Sequence, residues 1–376
     1  MRLFTELLKA TFVSRPNRFI VQANLNGKLI EVYLSNPGRL QELLFEGVEL
    51  LIQSTAESKG RMDWRAVGLL QGDLSVCLHT HAANDIAEYL INHNCIDSLS
   101  GWKVIKREQR VGRSRFDLLL EKDGEQRLGE VKSCTLFTSK AAMFPDAPSE
   151  RAIKHLTELA ELAPADGPKP LVLFIVQKQG LQGFAPDWHT DLQFAKTLLE
   201  VKDRLEIHAI GVLTDAEMNL SDQTEELPIL WDLSQTEAHD QGAYLYMLHL
   251  AEDTSILIGA LGEVQFPAGF YVYTGSAATN LTQRLARHQR KNKKHHWHID
   301  YLRAKAEHHA ALPVRSQDDL ECSLAQSLAK LSDFQISNFG CSDCSCKSHL
   351  FGFSKDPLEN RDFFTHLFHY RIDRHL

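Results

Sequence analysis

The sequence predicts a multidomain α/β protein with an N-terminal β-barrel. Three observations carry that reading. Residues 1 to 82 hold short alternating strands broken by turn residues. From Asn84 the pattern changes to helix, strands, helix and then the continuous apolar run PLVLFIVQ, the mark of an α/β layer with a mixed sheet. After a polar, acidic stretch at 214–241, strands and helices resume and fill the rest of the 376 residues, a length that suits two or three domains. The expected domains are 1–82, 83–236 and 237–376.

In the first segment FIVQANL alternates, Asn26-Gly27 is a hairpin turn, and KLIEVYL alternates again. VELLIQ, RAVGLLQ and LSVCLHT follow, with one brief helical stretch at GRLQELL. Five short strands with one helical turn point to a small barrel of the oligonucleotide-binding (OB) type. The second segment opens on a helix, NDIAEYLI, with Asn84 as its N-cap. In the third, NLTQRLARHQRK has helical spacing, with Leu281 and Leu285 facing inward. The acidic stretch 214–241 reads as a joint.

Composition is that of a soluble globular protein, and no apolar run approaches a membrane span. MRLFTELLKATF lacks the pattern of a signal peptide. Seven cysteines, three of them crowded at Cys341, Cys344 and Cys346, suit a reducing cytoplasm better than a disulfide framework. The net charge of −8 argues against a nucleic-acid partner only on average, because binding follows local potential. Arg284, Arg287, Arg290, Lys291, Lys293 and Lys294 form a run without an acid among them, either a phosphate-binding surface or a solvated helix face.

The central motif is SRFDLLLEKDGEQRLGEVKS, residues 114–133. Asp123-Gly124 is a two-residue hairpin turn, so Lys122 faces Glu125, and counting outward sets Asp117 opposite Glu130. Opposed Cβ atoms lie roughly 5 Å apart, where two carboxylates repel unless a cation sits between them. Oxygen ligands of this kind suit Mg²⁺ or Mn²⁺. Lys132 shares the face of Glu130, while Phe116, Leu118, Leu120 and Val131 supply an apolar back. The alternative is an exposed hairpin with ordinary charges.

The text around this motif resembles the SfsA family, named for sugar fermentation stimulation. The matching residues are NRF at 17–19, NPGRLQELL at 36–44, AND at 83–85, SRFD at 114–117, EVKSCTL at 130–136 and AMFPDAPSERAIKHLTEL at 142–159. The resemblance implies an OB-like domain followed by a PD-(D/E)xK nuclease domain acting on DNA or RNA, with Asp117, Glu130 and Lys132 at its catalytic positions. It also makes the helical Glu88 a candidate for the metal site, an exposed helix carboxylate being the alternative. The chain departs from the family at Tyr33 and NPGR, where His and an NTGR-like stretch are usual, and at Arg61-Met62, where an Arg-Lys pair is usual. Arg18 and Arg39, near turns of the barrel, are candidates for phosphate contact or for ion pairs with acids such as Glu31 or Glu42.

The C-terminal part resembles the GIY-YIG-like nucleases of the Uri-type branch. It does so through GAY at 242–244, YVYTGSA at 271–277, NLTQRLARH at 280–288, HWHIDYL at 296–302, ECSLA at 321–325 and SDCSCKSHLFGF at 342–353. The resemblance implies that Tyr244 or Tyr273 assists deprotonation of the attacking water, that Arg284 clamps the phosphate and that Glu321 binds a divalent metal. Arg284 and His288, four apart on a helix, share a face. The two tyrosine motifs are farther apart than is usual, and a degenerate domain that only binds nucleic acid is the alternative. Cys341, Cys344, Cys346 and His349 have thiolate and imidazole donors that can hold Zn²⁺, with Cys322 as a remote further ligand; free thiols in a turn are the alternative.

The function expected from the sequence is Mg²⁺-dependent hydrolysis of DNA or RNA by a cytoplasmic protein with no membrane partner. The rival is a non-catalytic DNA-binding regulator, for example of sugar-metabolism genes.

Overall fold

The computed structural model describes residues 1–55, 62–112 and 114–376. Arg61 of the Arg61-Met62 pair lies outside them. The chain forms two units, Met1–Asp187 with Gln193–Ser234, and Trp188–Leu192 with Gln235–Leu376.

The first unit opens with strands β1 (Leu7–Asn17), β2 (Ile20–Leu25), β3 (Lys28–Leu34), β4 (Glu49–Ser54), β5 (Trp64–Gln71) and β6 (Leu74–Cys77). Their order is β3-β2-β1-β4-β5-β6, and a parallel β3–β5 pairing closes the first five into an OB-like barrel. Asn26 and Gly27 both have positive φ, as the primed hairpin turn requires. Two expectations are corrected here. The five short strands expected are joined by a sixth, the long first strand LLKATFVSRPN, which buries only Ala10 and Phe12, an alternation too weak to read in the sequence. GRLQELL forms turns rather than a helix, with Leu40 itself in the left-handed region.

A mixed α/β layer follows: α1 (Ala82–Asn92), β7 (Lys103–Val111), β8 (Ser114–Lys122), β9 (Glu125–Cys134), β10 (Leu136–Phe137), β11 (Ala141–Phe144), α2 (Glu150–Glu161), β12 (Leu171–Val176), β13 (Gly183–Pro186), α3 (Leu192–Val201), β14 (Glu206–Gly211) and β15 (Glu225–Leu227). The main sheet has the order β15-β14-β12-β9-β8-β7, parallel through β14-β12-β9 and antiparallel at both edges. Helix α1 lays Ile86, Ala87, Leu90 and Ile91 on Leu118, Leu120, Val131, Leu173 and Ile175, which builds the core. The acidic stretch 214–241 is not a free linker, although the division between the units, at Ser234 and Gln235, falls inside it. Met218, Leu220 and Leu227 are buried, and β15 is a strand of the sheet, because three apolar residues outweigh the polar average of the segment.

Helix α4 (Trp231–Glu237) spans the division between the units. The second unit then contains β16 (Gly242–Leu250), β17 (Thr254–Ile258), β18 (Gly262–Phe266), β19 (Gly269–Ala277), α5 (Leu281–Gln289), α6 (His298–Lys305), β20 (Glu307–Arg315), α7 (Glu321–Leu328), β21 (Phe334–Gln335), β22 (Leu350–Phe353) and α8 (Arg361–Arg371). Its sheet, β20-β16-β19-β22-β21, is antiparallel throughout. Tyr244, Tyr246 and Leu248 pack with Leu281 and Leu285 of α5 and Ile299 and Leu302 of α6. Trp188–Leu192 packs with this unit: Arg315 N donates to His189 Nδ1 at 2.9 Å, and His189 Nε2 lies 2.8 Å from the Arg371 carbonyl.

Candidate active sites

The hairpin joining β8 and β9 has the register the turn dictates. Asp123 and Gly124 both have positive φ, Lys122 faces Glu125, and the ladder runs out to Leu118–Gly129. One step beyond, the Asp117 carboxylate replaces the ladder. Its Oδ2 accepts from Val131 N at 2.9 Å, and its Oδ1 accepts from Asn84 Nδ2 at 3.2 Å. Asn84 is therefore not the N-cap of α1; the helix begins at Ala82, and Asn84 lies in its first turn, turned to Asp117.

Glu130 is 2% exposed. Its Oε1 is held by Lys132 Nζ at 2.5 Å and by His155 Nδ1 of α2 at 2.6 Å. Its Oε2 is sealed from solvent with no hydrogen-bond partner among the described residues. Burial drives the Glu130 pKa up, but the His155 and Lys132 contacts more than offset it, so the group sits below the usual carboxylate range. Asp117 moves the other way, raised first by burial and then by Glu130. A sealed, unpartnered carboxylate oxygen beside a second half-buried carboxylate is a built acceptor set, and a divalent cation satisfies both.

His155 was not singled out from the sequence; its only signal there is its place in AIKHL, twenty-five residues beyond Glu130. Phe116 is buried as expected, but its ring stands edge-on to His155 at 6.3 Å. Beside this group an open cleft of about 440 Å³ is lined by Ser114, Arg115, Glu150, Arg151, Lys154 and His155. Its three cations were also missed. Glu88 does not point its charge to this group. Arg107 Nε holds it at 2.6 Å, and Arg107 Nη2 holds Asp85 at 2.7 Å.

In the barrel, Arg18 and Arg39 are exposed and make no ion pair among the described residues, so the alternative of pairs with Glu31 or Glu42 is not seen. Arg15 brings the two together, its guanidinium donating to the carbonyls of Arg18, Asn36, Gly38 and Arg39.

In the second unit β16 and β19 pair Tyr244 with Gly275 and Tyr246 with Tyr273. A Cβ at Gly275 would lie 2.4 Å from the Tyr244 hydroxyl, so the glycine of YTG makes room for the tyrosine of GAY. Ser276 joins the next two residues, its carbonyl accepting from Arg284 Nη1 and its hydroxyl donating to Glu321 Oε2. Tyr244, Tyr273, Arg284 and Glu321 thus assemble. Burial first, then mutual repulsion with Tyr273, lifts Tyr244 well above the ordinary phenol range; burial likewise lifts Tyr273. Both phenols are neutral at physiological pH, so neither is a ready base.

His288 corrects its expected place beside a phosphate. It is 1% exposed, its Nε2 is 2.8 Å from the Tyr244 hydroxyl, and burial followed by Lys293 holds its pKa down to about 3. The basic run is corrected too. Buried Asp300 takes Arg287 at 2.9 Å and Lys293 at 2.9 Å, and Lys291 pairs with exposed Glu307 at 2.6 Å. Arg290 and Lys294 remain exposed without an ion pair among the described residues. The expected thiolate set changes one member. Ligand atoms of Cys322, Cys344, Cys346 and His349 lie within 4.8 Å of one another, and Cys341 is outside the group.

An OB-like barrel joined to a mixed α/β layer, followed by a further α/β unit, defines the class of this protein. Residues 13–78 match the SfsA N-terminal OB domain, 81–218 the sugar fermentation stimulation protein RE domain, and 243–372 a domain of unknown function, DUF123. The chain belongs to the sugar fermentation stimulation protein family. A homolog from Methanothermobacter thermautotrophicus is 35% identical over 191 residues, 51% of this chain and 79% of the relative. One from Pyrobaculum arsenaticum is 39% identical over 189 residues, 50% of this chain and 79% of the relative. The structure of Pyrococcus furiosus SfsA in complex with Ca²⁺ matches with a TM-score of 0.55 and 28% identity, over 61% of this chain and 99% of that one. No helix of the described residues is long and apolar enough to cross a membrane.

Proposed function

We propose that the chain is a metal-dependent nuclease that hydrolyses phosphodiesters of DNA or RNA, with Asp117, Glu130 and Lys132 as its principal site. The observation that carries the reading is the sealed, unpartnered Oε2 of Glu130 beside the Asp117 carboxylate. A relative solved with Ca²⁺ supports an oxygen-ligand cation in this family. Asp117 and Glu130 would hold Mg²⁺ or Mn²⁺, which polarises a phosphate and acidifies a bound water. Asn84 and His155 fix the two carboxylates in place. Lys132, beside Glu130, offsets charge that develops on the phosphate. Arg115, Arg151 and Lys154 along the cleft would track the nucleic-acid backbone. Arg18 and Arg39, brought side by side by Arg15, extend that role to the barrel.

Tyr244, Tyr273, Arg284 and Glu321 form a proposed second site of GIY-YIG type, with Arg284 facing the phosphate. Both Glu321 oxygens already have neighbours, so a cation there must compete with Ser276 and His349. His288 would act only through the Tyr244 hydroxyl.

The test is a cleavage screen over single- and double-stranded DNA and RNA with and without Mg²⁺. Product formation that needs Mg²⁺ is the expected result. Binding that is equal in EDTA, with substrate intact throughout, would favour a nucleic-acid-binding regulator, the role the relatives' name evokes.

A further inference from the structure

The Cys322, Cys344, Cys346 and His349 group is not used by the proposed chemistry, and its donors come from two places. Cys322 sits in the first turn of α7, next to Glu321; the others lie in the loop that leads into β22. Their ligand atoms fall within a sphere that one ion can fill. Cys344 Sγ lies 3.5 Å from His349 Nε2. Tetrahedral zinc, with bonds of about 2.3 Å to sulfur and about 2.0 Å to nitrogen, sets those two atoms about 3.5 Å apart. Three thiolates and one imidazole are also the soft donor set that selects zinc over the hard cations of the carboxylate site. Cys341 lies outside this group, and the contact between it and the Cys344 thiol is to its backbone carbonyl, at 4.0 Å.

His349 has a second contact. Its other nitrogen, Nδ1, lies 3.0 Å from Glu321 Oε1, off the line of a full hydrogen bond. Metal on Nε2 leaves the proton on Nδ1 and turns it toward that carboxylate. We infer that Cys322, Cys344, Cys346 and His349 bind a structural zinc ion, and that through His349 the ion positions Glu321. The ion ties the start of α7 to the loop before β22, one residue from the carboxylate and once more through the imidazole. The zinc site is independent of the nuclease reading; only the value of a positioned Glu321 rests on it.

The full chain, purified with zinc supplied, should carry one zinc per molecule by elemental analysis. Replacement with cobalt(II) should give the visible absorption of a tetrahedral thiolate site. Cys322→Ser should weaken zinc retention by at least the roughly tenfold that loss of an outer partner costs, and Cys341→Ser should leave it unchanged. Thiol alkylation of the unmodified protein gives the same answer without mutation. Cys322, Cys344 and Cys346 should be protected until a chelator is added, with Cys341 unaffected. In protein labelled with ¹⁵N-histidine, the zinc form should show His349 protonated at Nδ1, and that proton should shift in Glu321→Gln with zinc retained. Absence of zinc and of the cobalt spectrum, or metal loss from Cys341→Ser but not Cys322→Ser, overturns the site. The opposite tautomer, or an Nδ1 signal indifferent to Glu321→Gln, overturns the positioning role alone. None of these outcomes depends on nuclease activity.

Discussion

The Asp117 and Glu130 carboxylates act on each other yet shift in opposite directions, because His155 and Lys132 bond directly to Glu130, while at Asp117 burial and the Glu130 charge dominate. With the second site disabled by Arg284→Ala, Asp117→Asn and Glu130→Gln should each lower Mg²⁺-dependent cleavage at least about a hundredfold, beyond the roughly 10–100-fold that loss of an outer partner such as His155 costs. Circular dichroism should show the fold retained, and turnover within tenfold of the Arg284→Ala parent in the variant carrying both would refute the site. Glu42 gives a separate test. Its Oε1 is sealed without a partner among the described residues, though the residue as a whole is only half-buried. Burial, then Asp146, raises its pKa to about 8. A carboxyl raised in the folded state contributes stability that is full below its unfolded value, near 4.5, and is lost as pH climbs through about 8. Thermal stability should therefore fall from pH 5 to pH 8, and Glu42→Gln should flatten that fall. An unchanged slope in the variant would place the titration elsewhere.

At the scale of elements, the end of α5 and the segment after it separate two kinds of cation that look alike in sequence. Arg287 and Lys293 neutralise Asp300, whose side chain is fully buried and whose carboxylate also caps α6 through His296 N and Trp297 N. Replacing either with Ser leaves that carboxylate under-bonded and should cost about 1–3 kcal/mol of stability. Arg290 and Lys294 have no such duty. Changing both to Ser should leave the melting temperature in place and reduce the salt dependence of nucleic-acid binding by about two units of log–log slope, near 0.9 per phosphate contact. The reverse pattern, with a flat slope change and a lost fold, would mean that the free pair is structural.

For the whole molecule, the division into two units raises the question of whether each stands alone. Fragment 237–376 leaves behind Trp188 and His189, which are buried and pack with the second unit. Without them the Arg315 amide and the Arg371 carbonyl lose partners, each worth about 1–3 kcal/mol when buried and unsatisfied. The fragment should melt at a lower temperature than the corresponding calorimetric transition of the full chain. Equal melting temperatures would show that the 188–192 segment contributes nothing. We further expect Asp117→Asn in the full chain to leave any cutting by the second unit intact, since Tyr244, Tyr273, Arg284 and Glu321 draw on none of the first site's residues.

What the sequence determined by itself was local. Asp-Gly and Asn-Gly turns set hairpin registers, and the β8–β9 register, which runs out to Leu118–Gly129, then brings Asp117 and Glu130 to the same end of the hairpin with Lys132 two residues on, without knowledge of any distant residue. Family motifs likewise located the barrel, the mixed layer and the Tyr244–Glu321 constellation. The tertiary structure decided everything that depends on pairing across long separations. It chose Asn84 and His155 to hold the carboxylates, gave Glu88 to Arg107, spent Arg287 and Lys293 of the basic run on Asp300, and exchanged Cys341 for Cys322. The physical reason is that a side chain's partner is fixed by which faces pack together. Burial makes an unpaired charge or amide costly, so each such group takes the partner that folding brings to it rather than the one nearest in sequence.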